Sequence, residues 1–325
     1  MDINLEYVKC NICGCNKSYP FMQTKDYLFG ILKPFNIVRC ARCGLIYTNP
    51  RPTRLSITKL YKKYYDSNGG KKEKILSFKN FIRSNLILRR LWHCFTGEYL
   101  SILLTKARGK VLDIGCGSGS LLKDLQRRNC EVYGVEINPQ NVAFCREKGF
   151  NVFCGDLRDA QFQTNFFDVI ILRHVLEHLD SPKEILREAF RILRPGGKIF
   201  IYTPNAESYL SKLFGKYWIG WHVPFHFYHF TERTTKKLVQ LTDFQINKIS
   251  SITPEYYFSS SLKFYLRENN NLNKIIELFK QYGLFDSLLF RIFLSPVFRV
   301  LDFILKGKGE CLRVELVKDI SKVLD

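Results

Sequence analysis

Val111-Leu112-Asp113-Ile114 runs straight into Gly115-Cys116-Gly117-Ser118-Gly119 and then Ser120-Leu121-Leu122. A short apolar run, three glycines at alternate positions and a resumed apolar pattern read as a buried strand, a tight turn and a helix start. A dinucleotide fingerprint would space its glycines G-x-G-x-x-G under a pyrophosphate, whereas here the turn is G-x-G-x-G and follows an acid. Asp113 disfavours an anionic ligand and suits a cationic one. About 20 residues on, Glu131-Val132-Tyr133-Gly134-Val135-Glu136 is a second strand that ends in an acid, placed where a carboxylate accepts both hydroxyls of a ribose. Asn138-Pro139 supplies an N-cap and a first-turn proline for the next helix.

The motif order continues through Cys154-Gly155-Asp156-Leu157 and Phe167-Asp168-Val169-Ile170-Ile171-Leu172-Arg173-His174-Val175-Leu176-Glu177-His178. Together these residues closely resemble class I S-adenosylmethionine-dependent methyltransferases over about residues 108 to 205. The resemblance implies that Gly115, Gly117 and Gly119 bring backbone up to the cofactor, that Asp113 organises the site near its amino-acid portion, that Glu136 holds the ribose and that Asp156 faces the adenine amine. Ser181-Pro182-Lys183-Glu184 is expected to form a capping box opening a helix that runs to Leu193, and Arg194-Pro195-Gly196-Gly197 turns the chain into a strand from Lys198 to Thr203. Alternating strands and helices imply an α/β, doubly wound, Rossmann-like sheet whose ligands lie beyond the carboxyl ends of the strands.

Cys10-Asn-Ile-Cys13 and Cys40-Ala-Arg-Cys43 are two C-x2-C pairs separated by 26 residues, each followed by a glycine. That spacing is close to a tetrahedral, structural zinc ribbon with Cys10, Cys13, Cys40 and Cys43 as ligands. Cys15 is a spare sulfur. A piece of this size can hardly stabilise itself by burial alone, so bound Zn2+ would supply much of its folding free energy. Between the cysteines and the glycine turn, Lys59 to Lys110 carries 13 basic residues against three acidic ones, in a chain of 325 residues with a net charge of +20. Phe78, Phe81, Ile82, Leu86, Leu88, Leu91, Trp92 and Phe95 recur there at helical spacing, so part of the segment is read as an amphipathic helix whose basic face is either solvated or in contact with phosphate. The expected organisation is a zinc-ribbon module at 1–50, a basic helical linker or lid at 51–107, and a methyltransferase domain at 108–325 with a helical insertion at 253–310.

Gly220-Trp221-His222-Val223-Pro224-Phe225-His226-Phe227-Tyr228-His229-Phe230 holds half of the histidines. Following the fifth strand, it should overhang the methyl donor. With the cysteine pairs it resembles the zinc-ribbon methyltransferases of bacterial sugar and surface-glycan biosynthesis, although Phe225 stands where that pattern carries Arg. Moving a methyl group from a sulfonium needs in-line placement of the acceptor and often removal of its proton, for which His226 is the first candidate, with His229 and His178 beside it. His174-x-x-Glu177-His178 is similar in spacing to the Glu-x-x-Glu-His cluster of ubiquinone-biosynthesis O-methyltransferases, where a divalent ion assists the acceptor hydroxyl. Here the first acid is replaced, and His178 is read as a pocket residue.

Past Thr231, an N-cap, the apolar stripe of Leu288, Leu289, Ile292, Phe293, Val297, Val300, Leu301 and Ile304 reads as core, with an interfacial or dimer surface as the alternative. Asp286, Arg291, Pro296, Arg299 and Asp302 interrupt it, so no membrane span is expected, and a start without a basic head and apolar run points to a cytoplasmic protein. The function these readings imply is methyl transfer from S-adenosyl-L-methionine to a small anionic acceptor, a sugar nucleotide or glycan intermediate, lipid-linked or free. Two rivals are an RNA methyltransferase gripping nucleic acid through the zinc ribbon and basic linker, and a non-catalytic partner protein that keeps the cofactor site for stability.

Overall fold

Two pairs of cysteines organise the start of the chain in the computed structural model, which describes residues 3–65, 106–269 and 288–319. After the short strand β1 (Leu5–Glu6), the first knuckle precedes β2 (Ser18–Thr24), and the second lies between β3 (Phe35–Cys40) and β4 (Ile46–Thr48). Gly14 and Gly44 adopt φ of +67° and +82° and donate their amides to the carbonyls of Cys10 and Cys40, closing each knuckle. Cys10 Sγ lies 3.4 Å from Cys43 Sγ and Cys13 Sγ 3.5 Å from Cys40 Sγ. All four sulfurs fall within 4.8 Å of one another, a group compatible with one tetrahedral zinc ion. Strand β5 (Arg51–Pro52) pairs with β1, and helix α1 (Arg54–Tyr65) follows.

The second layer begins with β6 (Lys110–Ile114), α2 (Ser120–Gln126), β7 (Glu131–Glu136), α3 (Pro139–Glu147), β8 (Asn151–Cys154) and β9 (Phe167–Arg173). Next come α4 (Pro182–Ile192), β10 (Leu193–Pro204), α5 (Tyr209–Phe214), the two-residue strand β11 (Tyr228–His229), α6 (Glu232–Val239) and β12 (Gln245–Ile252). Helices α7 (Glu255–Glu268) and α8 (Leu288–Ile304) precede the final strand β13 (Cys311–Val317). The seven-stranded sheet has the order β12-β13-β10-β9-β6-β7-β8, with β13 antiparallel to both of its neighbours and the remaining central pairs parallel. Chain progression reverses between β6 and β9, so a crevice opens at their carboxyl ends, where doubly wound sheets hold ligands.

Local chemistry accounts for most of these boundaries. Asn138 caps α3 by accepting from the amides of Gln140 and Asn141, with Pro139 at the first helical position. Thr231 and Thr234 form a reciprocal capping box at α6. The box expected at Ser181 is absent: its side chain makes no capping bond, and Glu184 instead takes the Arg158 guanidinium at 2.9 Å. Strand β10 starts at Leu193, earlier than Lys198, because Leu193 already pairs with Phe167 and the intervening Arg-Pro-Gly-Gly forms an irregularity inside the strand. The core reading of the α8 stripe is corrected over its described part, the side chains of residues 288–293 lying outside it. Val297, Val300 and Ile304 are exposed, while Phe298 and the Arg299–Asp302 pair face inward toward Thr253 and Tyr209. The apolar helix expected at 78–95 lies outside the described residues, and no described helix is long and apolar enough to cross a membrane.

The cysteine module does not stand apart. Strand β11, from the aromatic loop, pairs antiparallel with β4 and completes a four-stranded sheet in the order β11-β4-β3-β2. Thr48 donates its amide to Phe227 O and its hydroxyl to His226 O, both at 2.9 Å. Lys237 of α6 caps the second knuckle through Cys43 O at 2.8 Å. Metal analysis of the full chain is therefore expected to give one zinc per molecule. Cys40→Ser should bring it well below one and lower the melting temperature; undiminished zinc in that variant would refute the site.

Candidate active site

The glycine turn sits where β6 meets α2. Gly115 has φ of +70°, and a Cβ there would lie 2.4 Å from Val175 Cγ2, so the turn closes against the segment following β9. Gly117 also has positive φ, but a Cβ there would meet nothing within 4 Å. The space on its Cβ side is open. Its amide donates to Glu136 Oε2 at 2.8 Å, while Glu136 Oε1 accepts from Asn138 N at 2.9 Å. Glu136 thus stands at the end of β7 with both oxygens oriented by backbone, on the open side of the turn. Gly119, the third glycine, is the left-handed N-cap of α2 and packs against Cys145 and Phe150.

Asp113 is 1% exposed and neither of its oxygens accepts a hydrogen bond. Burial pushes its carboxyl up to about 6, with Arg173, 3.9 Å away, pulling down and Glu136 pushing further up. A buried carboxylate in that state favours a ligand that brings positive charge or hydrogen-bond donors. Asp156 is held by Arg158. Burial raises its carboxyl, but the bonds from Arg158 prevail and hold it below the usual range, with Arg158 Nε at 2.8 Å and a second nitrogen at 3.0 Å. Arg158 also reaches Asp180 and Glu184, so any ligand of Asp156 shares that carboxylate with a three-way ion network.

Beyond β9, His178 meets His222 and His226 of the aromatic loop. The His178 and His226 rings meet edge-on with centroids 4.5 Å apart, and His222 lies 4.9 Å from His226. His226 Nδ1 is 2.9 Å from Gly220 O, and His178 Nδ1 is 3.0 Å from Phe225 O and 2.8 Å from the Tyr61 hydroxyl. Because a carbonyl only accepts, each Nδ1 carries the hydrogen and each Nε2 keeps its lone pair. Glu177 is 1% exposed; its Oε2 accepts from Thr203, and its Oε1, 3.4 Å from His174 Nδ1, accepts no hydrogen bond. Ligand atoms of Glu177, His178 and His226 all fall within 4.8 Å of one another. His229 lies on β11 instead, where its Nε2 contacts the Thr48 hydroxyl at 3.3 Å and its ring packs on Trp221. Since Thr48 spends its hydrogen on His226 O, His229 donates from Nε2.

Several wall residues were not singled out in the sequence. Phe29 of the cysteine module stacks on Tyr64 and meets Phe225 edge-on, each at 5.4 Å, and Tyr61 meets Phe225 at 5.3 Å. These contacts join residues from distant parts of the chain, and no local spacing announces them. Glu177 was legible as part of His-x-x-Glu-His, but its partnership with His226 arises only when the loop folds back over β10.

Residues 89–249 match a family model described as a methyltransferase domain. The ubiquinone biosynthesis O-methyltransferase of Xanthomonas oryzae pv. oryzae (strain PXO99A) is 34% identical over 115 residues, covering 33% of this chain and 48% of that protein. Its counterpart in Acinetobacter baylyi is 27% identical over 184 residues, covering 53% and 77%. The chain thus spans about half the length of the first of these relatives. A solved S-adenosylmethionine-dependent methyltransferase from Archaeoglobus fulgidus is 23% identical, covers 76% of this chain and 100% of its own, and superposes with a TM-score of 0.46. Sheet order, glycine turn and matched domain define the class: a Rossmann-like methyltransferase fold. Within that class, the matched segment is a class I S-adenosylmethionine-dependent methyltransferase domain.

The buried imidazoles fix a pH response. Burial holds His222 and His229 down at about 3, and burial followed by the neighbouring His178, His222 and His229 holds His226 well below its ordinary value. A folded-state value below that of the unfolded chain means the unfolded chain takes up protons first as pH falls through 6.5. Stability present at pH 7 should therefore be lost steadily between about 6.5 and 3. Asp113 works the other way, its contribution being greatest below 3.8 and lost as pH rises through about 6. Burial lowers His178 as well, so four imidazoles act in this direction, against buried carboxyls raised like Asp113, of which Glu310, pushed up to about 8, is the foremost. Thermal melts are expected to fall between pH 7 and pH 5, and His229→Gln should shallow the slope. A flat profile in the parent protein would contradict the burial.

Proposed function

We propose that the chain transfers a methyl group from S-adenosyl-L-methionine to a hydroxyl of a small acceptor held beneath the aromatic loop. The observation that carries this reading is the buried Asp113 carboxylate, which accepts no hydrogen bond and has only Arg173 at 3.9 Å, at the foot of a glycine turn whose Gly117 has open space where a Cβ would stand. A cationic nucleoside with an amino-acid end fits that pair: the ammonium and sulfonium face a carboxylate, Glu136 lies at the ribose, and the amide-lined turn lets the cofactor approach backbone. Asp156 stands near the adenine end, shared with Arg158. Bound there, the cofactor supplies an electrophilic methyl group and a neutral thioether leaving group.

The residues opposite do the remaining work. Phe29, Tyr61, Tyr64 and Phe225 form a ring-lined wall that keeps water out and orients a planar or ring-shaped acceptor for in-line attack. His226 and His178 present Nε2 lone pairs toward the acceptor space, where either accepts the hydroxyl proton while Nδ1 stays tied to a carbonyl. Low proton affinity makes each a weak base, so Glu177 beside them is needed to stabilise the imidazolium that forms. Glu177, His178 and His226 also fit a divalent ion, which would lower the pKa of the acceptor hydroxyl. His229, engaged with Thr48, positions the loop.

Oxygen as the acceptor atom draws support from the names of the relatives. The sugar-nucleotide or glycan class rests on the cysteine module and histidine loop alone. The basic segment behind the RNA reading falls largely outside the described residues. Calorimetry with S-adenosylhomocysteine should show one site per chain. Incubation with labelled cofactor and separate pools of phenolic compounds, sugar nucleotides and total RNA should place label in a small molecule. Label in RNA would overturn the acceptor class, and no heat with the cofactor product would overturn the reading as a whole. Glu177→Gln should lower turnover on the order of a hundredfold with unchanged S-adenosylhomocysteine affinity, as removal of an acid–base component does.

A further inference from the structure

Three arginines near the carboxyl end of the sheet each bury a guanidinium nitrogen that makes no hydrogen bond: Arg173 Nε, Arg299 Nε and Arg313 Nε. Arg173 ends β9 and pairs with Tyr202 of β10, which pairs in turn with Arg313 of β13. Paired residues on neighbouring strands project to the same face, so Arg173, Tyr202 and Arg313 form one row. Asp113 belongs to that face too, since it pairs with Ile171, two residues before Arg173. Two strand spacings place the Cα atoms of Arg173 and Arg313 about 10 Å apart, a gap that two arginine side chains can close over one small ligand group.

Compensating charge is sparse along the row. Arg173 has Asp113 at 3.9 Å, a long contact to a carboxylate whose own oxygens lack hydrogen bonds. Arg299 is engaged by Asp302 at 3.3 Å and by Thr253 O. Arg313 forms no ion pair among the described residues. Burial raises the Tyr202 phenol while Arg313 and Arg173 both draw it down, so both cations act on the same hydroxyl. Two residues along β13 the contrast is plain: Glu315 is satisfied by Lys106, Lys198 and Asn247. Leaving a buried donor without an acceptor is destabilising, and stability alone gives no reason to retain it three times. Meanwhile Phe225 occupies, fully buried, the loop position where a guanidinium was expected, so that position brings no cation to the acceptor.

We propose that Arg173 and Arg313 form an oxyanion-binding subsite beside Asp113, taking a carboxylate or phosphate group of a bound ligand. The planar guanidinium fork matches such groups with paired hydrogen bonds, and the free Nε edges are the donors such a ligand would satisfy. The ligand is the carboxylate of the cofactor's amino-acid end or an acidic group on the acceptor; the subsite rests on the methyl-transfer reading only for that identity.

The test uses the full chain and three probes: S-adenosylhomocysteine, 5′-methylthioadenosine, which lacks the amino-acid end, and inorganic pyrophosphate. Arg313→Ala should weaken S-adenosylhomocysteine or pyrophosphate at least tenfold, leave methylthioadenosine unchanged, and be partly restored in Arg313→Lys. Loss confined to S-adenosylhomocysteine assigns the subsite to the cofactor; loss confined to pyrophosphate assigns it to the acceptor. Unchanged affinity for both overturns it. Should Arg313→Ala fail to fold, modification of the parent protein by phenylglyoxal, read by peptide mass, decides: protection of Arg313 by either anion supports the subsite, and equal modification with and without them overturns it. Because pyrophosphate does not occupy the nucleoside site, failure of the subsite and failure of the cofactor reading give different results.

Discussion

Strand β4 carries the hydrogen bonds on which the arrangement of the site depends. One edge belongs to the cysteine module through β3, and the other receives β11, so a three-residue strand joins two parts of the fold. Thr48 alone holds the carbonyls of His226 and Phe227, and Phe227 N donates onward to Glu177 O at 2.8 Å. A chain of hydrogen bonds thus leads from β4 through the aromatic loop to the main chain of Glu177, the residue whose carboxylate lies behind the histidines. Backbone bonds in a water-poor interior tolerate little displacement, which makes the roof of the crevice as rigid as the module that supports it.

Beneath that roof, charge is distributed unevenly. The Asp113 end of the crevice is acidic and underbonded, the histidine end is neutral because burial strips protons from the imidazoles, and the arginine row is cationic. A methyl transfer that starts from a sulfonium and ends with two neutral groups plus a proton is served by such a gradient. In the proposed reading, the negative potential of Asp113 would face the cation and a poorly solvated imidazole would face the departing proton.

Much of this was legible in the sequence where the physics is local. The strand, glycine turn and helix at 111–122, the Asn138 and Thr231 caps and the paired cysteines all depend on neighbours within a few positions, and the structure repeats them. Departures occur where a distant group competes. Arg158 draws Glu184 away from a cap at Ser181, and Phe298 with Asp302 turns Val297 and Val300 outward. For the site, the acids Asp113 and Glu136 stood out by their places at the two strand ends, while the roles given to them and to the three glycines came from the family resemblance, and the histidines from their clustering and chemistry. The packing of Tyr61 on His178 and of Phe29 on His222 was not legible, because an aromatic residue in an ordinary helix or loop carries no mark of what it will pack against. The pairing of β11 with β4 escaped for the same reason, as a two-residue strand has no periodicity to read.

The shared sheet has one consequence for the living cell. Thiolates that hold a metal are also the groups most readily attacked by oxidants. Damage at Cys13, the least buried of the four, would travel through β3 and β4 to the ceiling of the crevice and leave the floor, built on β6 and β7, untouched. Oxidation of the knuckles would thus loosen the aromatic loop while sparing the glycine turn, separating the two halves of the proposed site.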